Sequence, residues 1–214
     1  MPFGQASVNS SSIPQLDSPY NDLPAKFADV TILTVKYQTT YASISPLIPD
    51  VLEIEDEPMV TAHVLHYGKC HHGEFNEFIH TVEVKYQGEN YHFCLSLIVD
   101  NEYALLAGRE QSGFPKRLGS ISLTDDADSN RATAYVERPV GTKLAEFEFA
   151  ANAQRTPTPI LDMSALSLRV IPSPLANAPP SIKELVPTTF EIRPTEVWEG
   201  PPLSLCGLGS WHNL

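Results

Sequence analysis

The chain has 214 residues, enough to bury one sizeable core, and its 42% hydrophobic and 19% charged content is that of an ordinary globule. A formal charge of −12, from 14 basic and 26 acidic residues, sets it against nucleic acid and anionic membrane as partners. Three widely spaced cysteines, Cys70, Cys94 and Cys206, fit buried thiols in a reducing compartment better than a disulfide framework. No apolar run is long enough to span a bilayer, and the N-terminus lacks the basic and apolar regions of a signal peptide, so a cytoplasmic protein is expected.

Residues 1–24 are rich in Ser, Pro and Asn and read as an N-terminal arm, flexible or draped over the body. Residues 25–214 read as a single domain. β-Branched content predicts a strand over Val30–Tyr37, then a short helix or turn over Tyr41–Asp50, and a second strand over Met59–Tyr67. The clearest pattern is a hairpin: alternation through Val82, Val84 and Tyr86, turn chemistry at Gln87-Gly88-Glu89-Asn90, then an apolar return over Tyr91–Val99. Asp100-Asn101 is placed to cap a helix over Glu102–Glu110, which Gly113 and Pro115 end. Further strands are predicted at Ser120–Thr124, Ala132–Glu137, Leu144–Phe149, Leu166–Ile171 and Thr188–Ile192, with a last strand containing a turn over Glu196–Leu205. Many short strands, few helices and 19 prolines predict a β-dominated barrel. Trp198 and Trp211 are expected to pack in the core and at the C-terminus.

Between helix and next strand lies Gly108-Arg109-Glu110-Gln111-Ser112-Gly113-Phe114-Pro115-Lys116-Arg117-Leu118-Gly119. Here Lys116 follows an aromatic and a proline and precedes an arginine. Desolvation and a like charge both disfavour an ammonium, and a neutral amine is a nucleophile for carbonyl carbon. Other chemistries find less support. His63 and His66 fall on opposite faces of a strand, and Cys70-His71-His72 is sequential, so a metal centre is not expected. Neither a G-x-S-x-G elbow nor a phosphate-binding glycine motif occurs.

Several pieces in order resemble the acetoacetate decarboxylase family: Asp100-Asn101-Glu102, Gly108-Arg109-Glu110 and Phe114-Pro115-Lys116-Arg117-Leu118-Gly119 most strongly. Ile48-Pro49-Asp50 with Leu52-Glu53-Ile54, Gly73-Glu74-Phe75-Asn76-Glu77, Val170-Ile171-Pro172 and Glu196-Val197-Trp198-Glu199-Gly200-Pro201 add to it. The resemblance implies a mainly antiparallel, cone-like β-barrel with a few short helices, enclosing a ligand cavity, in a homo-oligomer. It implies a cofactor-independent Schiff-base lyase acting on a small keto acid, with Lys116 as the nucleophile and Glu77 as the pocket glutamate that handles a proton or orients the substrate. Phe114 becomes a pocket wall, and Arg109 with Glu110 a structural pair at the helix end. Arg117 stands at the family's second lysine and is grouped with the substrate-binding residues, although on an extended segment it would face away from Lys116.

Two positions depart from the family. Val30 stands where relatives carry an arginine near the start of the first strand, and His63 where they carry a glutamate on the second. A pocket so altered suits a larger or more apolar carbonyl substrate than acetoacetate, such as a keto acid of a biosynthetic pathway. Relatives' C-terminal helical extension is also not matched, which points to a smaller assembly. The expected reaction is therefore decarboxylation of a β-keto acid. Alternatives are aldol, dehydration or cyclisation chemistry through the same iminium, or a non-catalytic barrel that binds a small apolar ligand.

Overall fold

The fold is that of a computed structural model, which describes residues 12, 18–20, 25–71, 73–126 and 128–206, with the side chains of 162 and 202–206 set aside. It is mainly β. The strands are β1 Ala28–Gln38, β2 Met59–Lys69, β3 Phe75–Tyr86, β4 Glu89–Val99, β5 Lys116–Leu118, β6 Ser120–Asp126, β7 Arg131–Glu137, β8 Lys143–Ala150, β9 Ala153–Arg155, β10 Leu161–Ile171, β11 Ile182–Ile192, β12 Val197–Glu199 and β13 Pro202–Cys206. The helices are a single turn, α1 Tyr41–Ile44, continued by a 3-10 turn, and α2 Glu102–Gln111. No helix among the described residues is long and apolar enough to cross a membrane. Most of the predicted arm, and Trp211, lie outside the described residues.

The large sheet runs β1-β2-β3-β4-β10-β11, antiparallel except where β4 meets β10, and β5 joins β4 in parallel. The far edge of β4 is thus divided: residues 92–93 pair with β10, and 97–99 with β5. A smaller sheet, β13-β8-β7-β6, packs on one face of the large one. Between the two lie Leu33, Val64, Phe78 and Ile98 from the large sheet and Val136, Ala145 and Phe147 from the small one. The alternation predicted for β8 holds, with Ala145 and Phe147 buried. The opposite face of the large sheet carries Lys116.

The hairpin turn is tight, with Gln87 and Gly88 at φ 53° and 86°, as a two-residue turn of the primed type requires. Strand β3 begins seven residues before the predicted alternation, because residues 75–82 are mostly buried on both faces and show no period of two. Strand β11 begins at Ile182, ahead of the predicted Thr188, and runs through Pro187. As an outer strand it tolerates a missing N–H. Trp198 is not core: it is 45% exposed on the two-stranded β12–β9 ribbon.

His80, 4% exposed between the sheets, meets the Tyr37 hydroxyl at 2.8 Å. Burial pulls its pKa down from 6.5 to about 4, so the folded protein binds fewer protons than the unfolded chain between those values. His80 therefore contributes stability that is complete above pH 6.5 and is lost as pH falls toward 4, on the order of 3 kcal/mol across the window. Thermal melts from pH 7 to pH 4 should show a steeper fall in Tm for the native protein than for His80→Gln. Parallel curves would contradict this.

Candidate active site

The site is assembled by the turn that leads out of α2. Asn101 caps the helix, its side chain accepting from the Ala104 N–H at 2.9 Å. Asp100 ties the cap to β3 by accepting from the Asn76 N–H at 2.7 Å and from its side-chain amide at 2.8 Å. Gly113, at φ 69°, reverses the chain against the backbone of Arg169, where a Cβ would come within 2.8 Å of Cα. The Phe114 N–H then donates to Gly108 O at 3.0 Å, and the Arg109 guanidinium donates to Lys116 O at 3.1 Å. The lysine's backbone is held from both sides before its side chain begins.

Strand alternation decides which residues share its side chain's face. Lys116 is in register with Leu97, which pairs with Ile79 and, through it, with His63 and Thr34. One row along the strands the series is Val99, Glu77, Leu65 and Ile32, and the next brings in Tyr67 and Val30. So the structure brings Lys116, Glu77, His63 and Val30 onto one face. Arg117 is in register with Ile98, on the other face, and is exposed. The alternation that places Lys116 inside turns Arg117 outward, as expected of an extended segment.

Lys116 Nζ lies 2.7 Å from Glu77 Oε1, both side chains being less than a tenth exposed. The contact is a charge pair rather than an aligned hydrogen bond, and Oε1 has no hydrogen-bond partner among the described residues. Glu77 Oε2 accepts from the Tyr67 hydroxyl at 3.2 Å. Burial first, then the Glu77 carboxylate, holds the Tyr67 phenol well above its ordinary pKa, so it remains a donor. The Phe114 ring lies 5.7 Å from Nζ and stacks with Phe190 at 6.1 Å. Ile79, Leu97, Cys94 and Ala165 complete the apolar surround. Burial raises the Cys94 thiol to about 11, so it stays neutral near pH 7.

His63 joins the Thr34 hydroxyl at 2.9 Å through Nδ1, and desolvation, then the neighbouring His92 and Lys36, brings its pKa down to about 4. It is therefore uncharged near neutrality. Val30 is 36% exposed at the β1 edge of the same face. Arg109 and Glu110 do not pair with each other. Arg109 holds the lysine's carbonyl, and Glu110 accepts from the Tyr20 hydroxyl at 2.5 Å, tying a buried residue of the N-terminal segment to the helix end. Two cavities, of about 410 and 560 Å³, are lined respectively by Thr34 with Trp198 and by His92 with Met163, and neither is lined by Lys116.

Sequence reasoning missed Tyr67 and the steric role of Gly108. Tyr67 reaches Glu77 only through the register of β2 on β3, which local pattern does not reveal. Gly108 is visible in the motif, but its purpose is spatial: a Cβ there would lie 2.6 Å from Lys116 Cε and 2.7 Å from Cδ. The lysine stem runs flat across the helix at the one position that has no side chain.

Fold and site together define a mainly β protein built around a buried amine–carboxylate pair. A family model for acetoacetate decarboxylase (ADC) matches residues 1–206, and the chain belongs to that family, as a decarboxylase. Decarboxylase DEC1 of Cochliobolus heterostrophus is 40% identical over 184 residues, covering 82% of this chain and 71% of that one. A solved acetoacetate decarboxylase overlays with a TM-score of 0.81 at 22% identity, over 93% of this chain and 81% of the other. The enduracididine biosynthesis enzyme MppR, complexed with the condensation product of pyruvate and imidazole 4-carboxaldehyde, overlays with a TM-score of 0.71 at 16% identity, over 97% and 87%. These structural likenesses establish the shared cone-like β fold.

Replacing Gly108 by alanine should push the lysine stem aside by about an ångström and reduce kcat/KM roughly a hundredfold, with the circular dichroism of the fold retained. Native activity in Gly108→Ala would show that the close approach is not needed.

Proposed function

We propose that this decarboxylase acts without a cofactor on a β-keto acid, through an iminium formed at Lys116. The observation that carries the reading is the buried contact at 2.7 Å between Lys116 Nζ and Glu77 Oε1. Nucleophilic attack needs a free amine, and Glu77 is placed to take the ammonium proton. Moving that proton converts two buried charges into two neutral groups, which a dry interior favours. The amine adds to the ketone carbon, and the proton held by Glu77 returns to the departing hydroxyl, which leaves as water. The resulting iminium nitrogen accepts the electron pair of the breaking carbon–carbon bond as carbon dioxide leaves, giving an enamine. Protonation at carbon and hydrolysis release the ketone and the free lysine. Tyr67 keeps the Glu77 carboxyl turned toward the amine, and Phe114 with Phe190 bounds the space beside it.

The substrate class follows from what lines the face. The family resemblance implies an arginine and a glutamate where Val30 and His63 stand, and both residues here are uncharged near neutrality. A larger or more apolar keto acid than acetoacetate fits such a surface. A second reading, condensation or dehydration through the same iminium, draws support from the fold shared with MppR, whose complex holds a condensation product. Carbon dioxide release from the chosen substrate separates the two.

Incubation with medium-chain β-keto acids and borohydride, followed by peptide mass spectrometry, should locate a reduced adduct on Lys116, absent in Lys116→Ala. Glu77→Gln, which keeps the shape but cannot accept the proton, should form the adduct about 10²- to 10⁴-fold more slowly. An adduct at another lysine, or none with any keto acid, counts against the proposal.

A further inference from the structure

Gly108 clears the lysine stem and Arg109 holds the lysine's carbonyl, but their neighbour Glu110 has no such part. Its place in the helix is also against the local rule. A carboxylate in the last turn meets the negative end of the helix dipole, which disfavours it, and Glu110 stands one residue before the end of α2. Where a residue breaks a local rule, a tertiary contact or a function compensates. The contact here is Tyr20, ninety residues earlier in the chain, whose hydroxyl donates to Glu110 Oε2 at 2.5 Å.

Tyr20 is well held. It is 7% exposed, and the Ser18 hydroxyl donates to its carbonyl at 2.7 Å. Ser12, equally buried, lies 2.5 Å from Ser18 between hydroxyl oxygens. Burial first, then the bond to Glu110, raises the Tyr20 phenol to about 12, so it stays a donor through the ordinary pH range. The phenol also feels the charge of Arg169, the residue against which Gly113 turns the chain. Tyr20 therefore stands where the end of α2 meets β10, beside the turn that delivers Lys116.

That end of the helix needs an anchor. The start of α2 is fixed by the Asn101 cap, and Ala104 and Leu105 pack against Phe75 and Val99. Past them the helix buries only Gly108, which brings no side chain. The strand that follows, β5, has three residues. Yet the lysine stem crosses Gly108 without slack, and its carbonyl hangs on Arg109, so a small shift of this helix end shifts the amine. The hydroxyl–carboxylate bond is the contact available to prevent it.

We propose that Tyr20 is a positioning residue for the reaction: its hydroxyl, through Glu110, fixes the C-terminal end of α2 and with it the place of Lys116 Nζ beside Glu77. The N-terminal segment thereby becomes a working part of the site while touching neither substrate nor reacting atoms. This rests on the Lys116 reading and deepens it.

The test follows formation of the borohydride-trapped adduct with 3-oxooctanoate in the native protein, Tyr20→Phe, Glu110→Ala and Glu110→Gln, each of retained circular dichroism. Tyr20→Phe and Glu110→Ala should each lower the rate at saturating acid about tenfold, with the half-saturating concentration changed less than about twofold. The double variant should be no slower than the slower single one, because both remove the same bond. Glu110→Gln keeps an oxygen that accepts from the phenol and should stay within about threefold of native. Hydrogen exchange in a peptide spanning residues 108–116 should quicken in Tyr20→Phe, with β6–β8 unchanged. A Tyr20→Phe protein that melts lower but traps the acid at the native rate overturns the inference, as does a loss confined to the half-saturating concentration. So does a double variant whose losses multiply. These outcomes leave the Lys116 adduct itself intact, whereas no adduct in the native protein removes the Lys116 reading and this one with it.

Discussion

Two opposite charges placed in contact away from water are expensive to desolvate, by several kcal/mol each, and their attraction offsets this only if the geometry is held. The Lys116–Glu77 pair is that constraint, and much of the fold is the means of holding it. The β3–β4 hairpin sets Glu77 beside Val99, and α2, anchored to β3 by Asp100 and capped by Asn101, carries the chain back. Gly113 turns it, and β5 docks on the free length of β4 so that Lys116 stands one row from Glu77. Removing either partner alone would strand a buried charge, a change that typically costs about 3–5 kcal/mol. On the proposed mechanism the same confinement is what makes the pair useful, because one proton shifted between atoms 2.7 Å apart turns an ion pair into an amine and a carboxylic acid.

Substitution around the pair follows a physical logic. The family resemblance places an arginine and a glutamate where this chain has Val30 and His63. One positive and one negative group are absent together, so the balance of charge on the face is kept while its polarity falls. His63 remains uncharged near neutrality and is turned to the Thr34 hydroxyl. The polar groups that remain nearest Lys116 are the Glu77 carboxylate and the Tyr67 hydroxyl bonded to it.

Elements whose two faces differ were legible in the sequence. The Gln87-Gly88 turn, the Asn101 cap and the alternation of β8 each leave a local signature. The first half of β3 did not, because burial on both faces erases the period, and Pro187 hid the first half of β11 because its edge position could not be known. The site divides the same way. Lys116 and Glu77 were singled out through motif order, and the outward aim of Arg117 through alternation. Tyr67 and the Gly108 clearance depend on how separate elements are set against one another. Arg109 and Glu110, adjacent in the chain, were read as partners, yet on the helix they point to different neighbours: the Lys116 carbonyl and Tyr20.

The central claim is that the ketone's oxygen leaves as water when Lys116 takes its place on carbon. Decarboxylation of a β-keto acid in water enriched in oxygen-18, with mass spectrometry of the ketone at early times, tests this most directly. Every product molecule formed by the enzyme should carry the solvent's oxygen, against a slow background in Lys116→Ala. Product that retains the substrate's own oxygen would contradict an iminium and the role given to the buried pair.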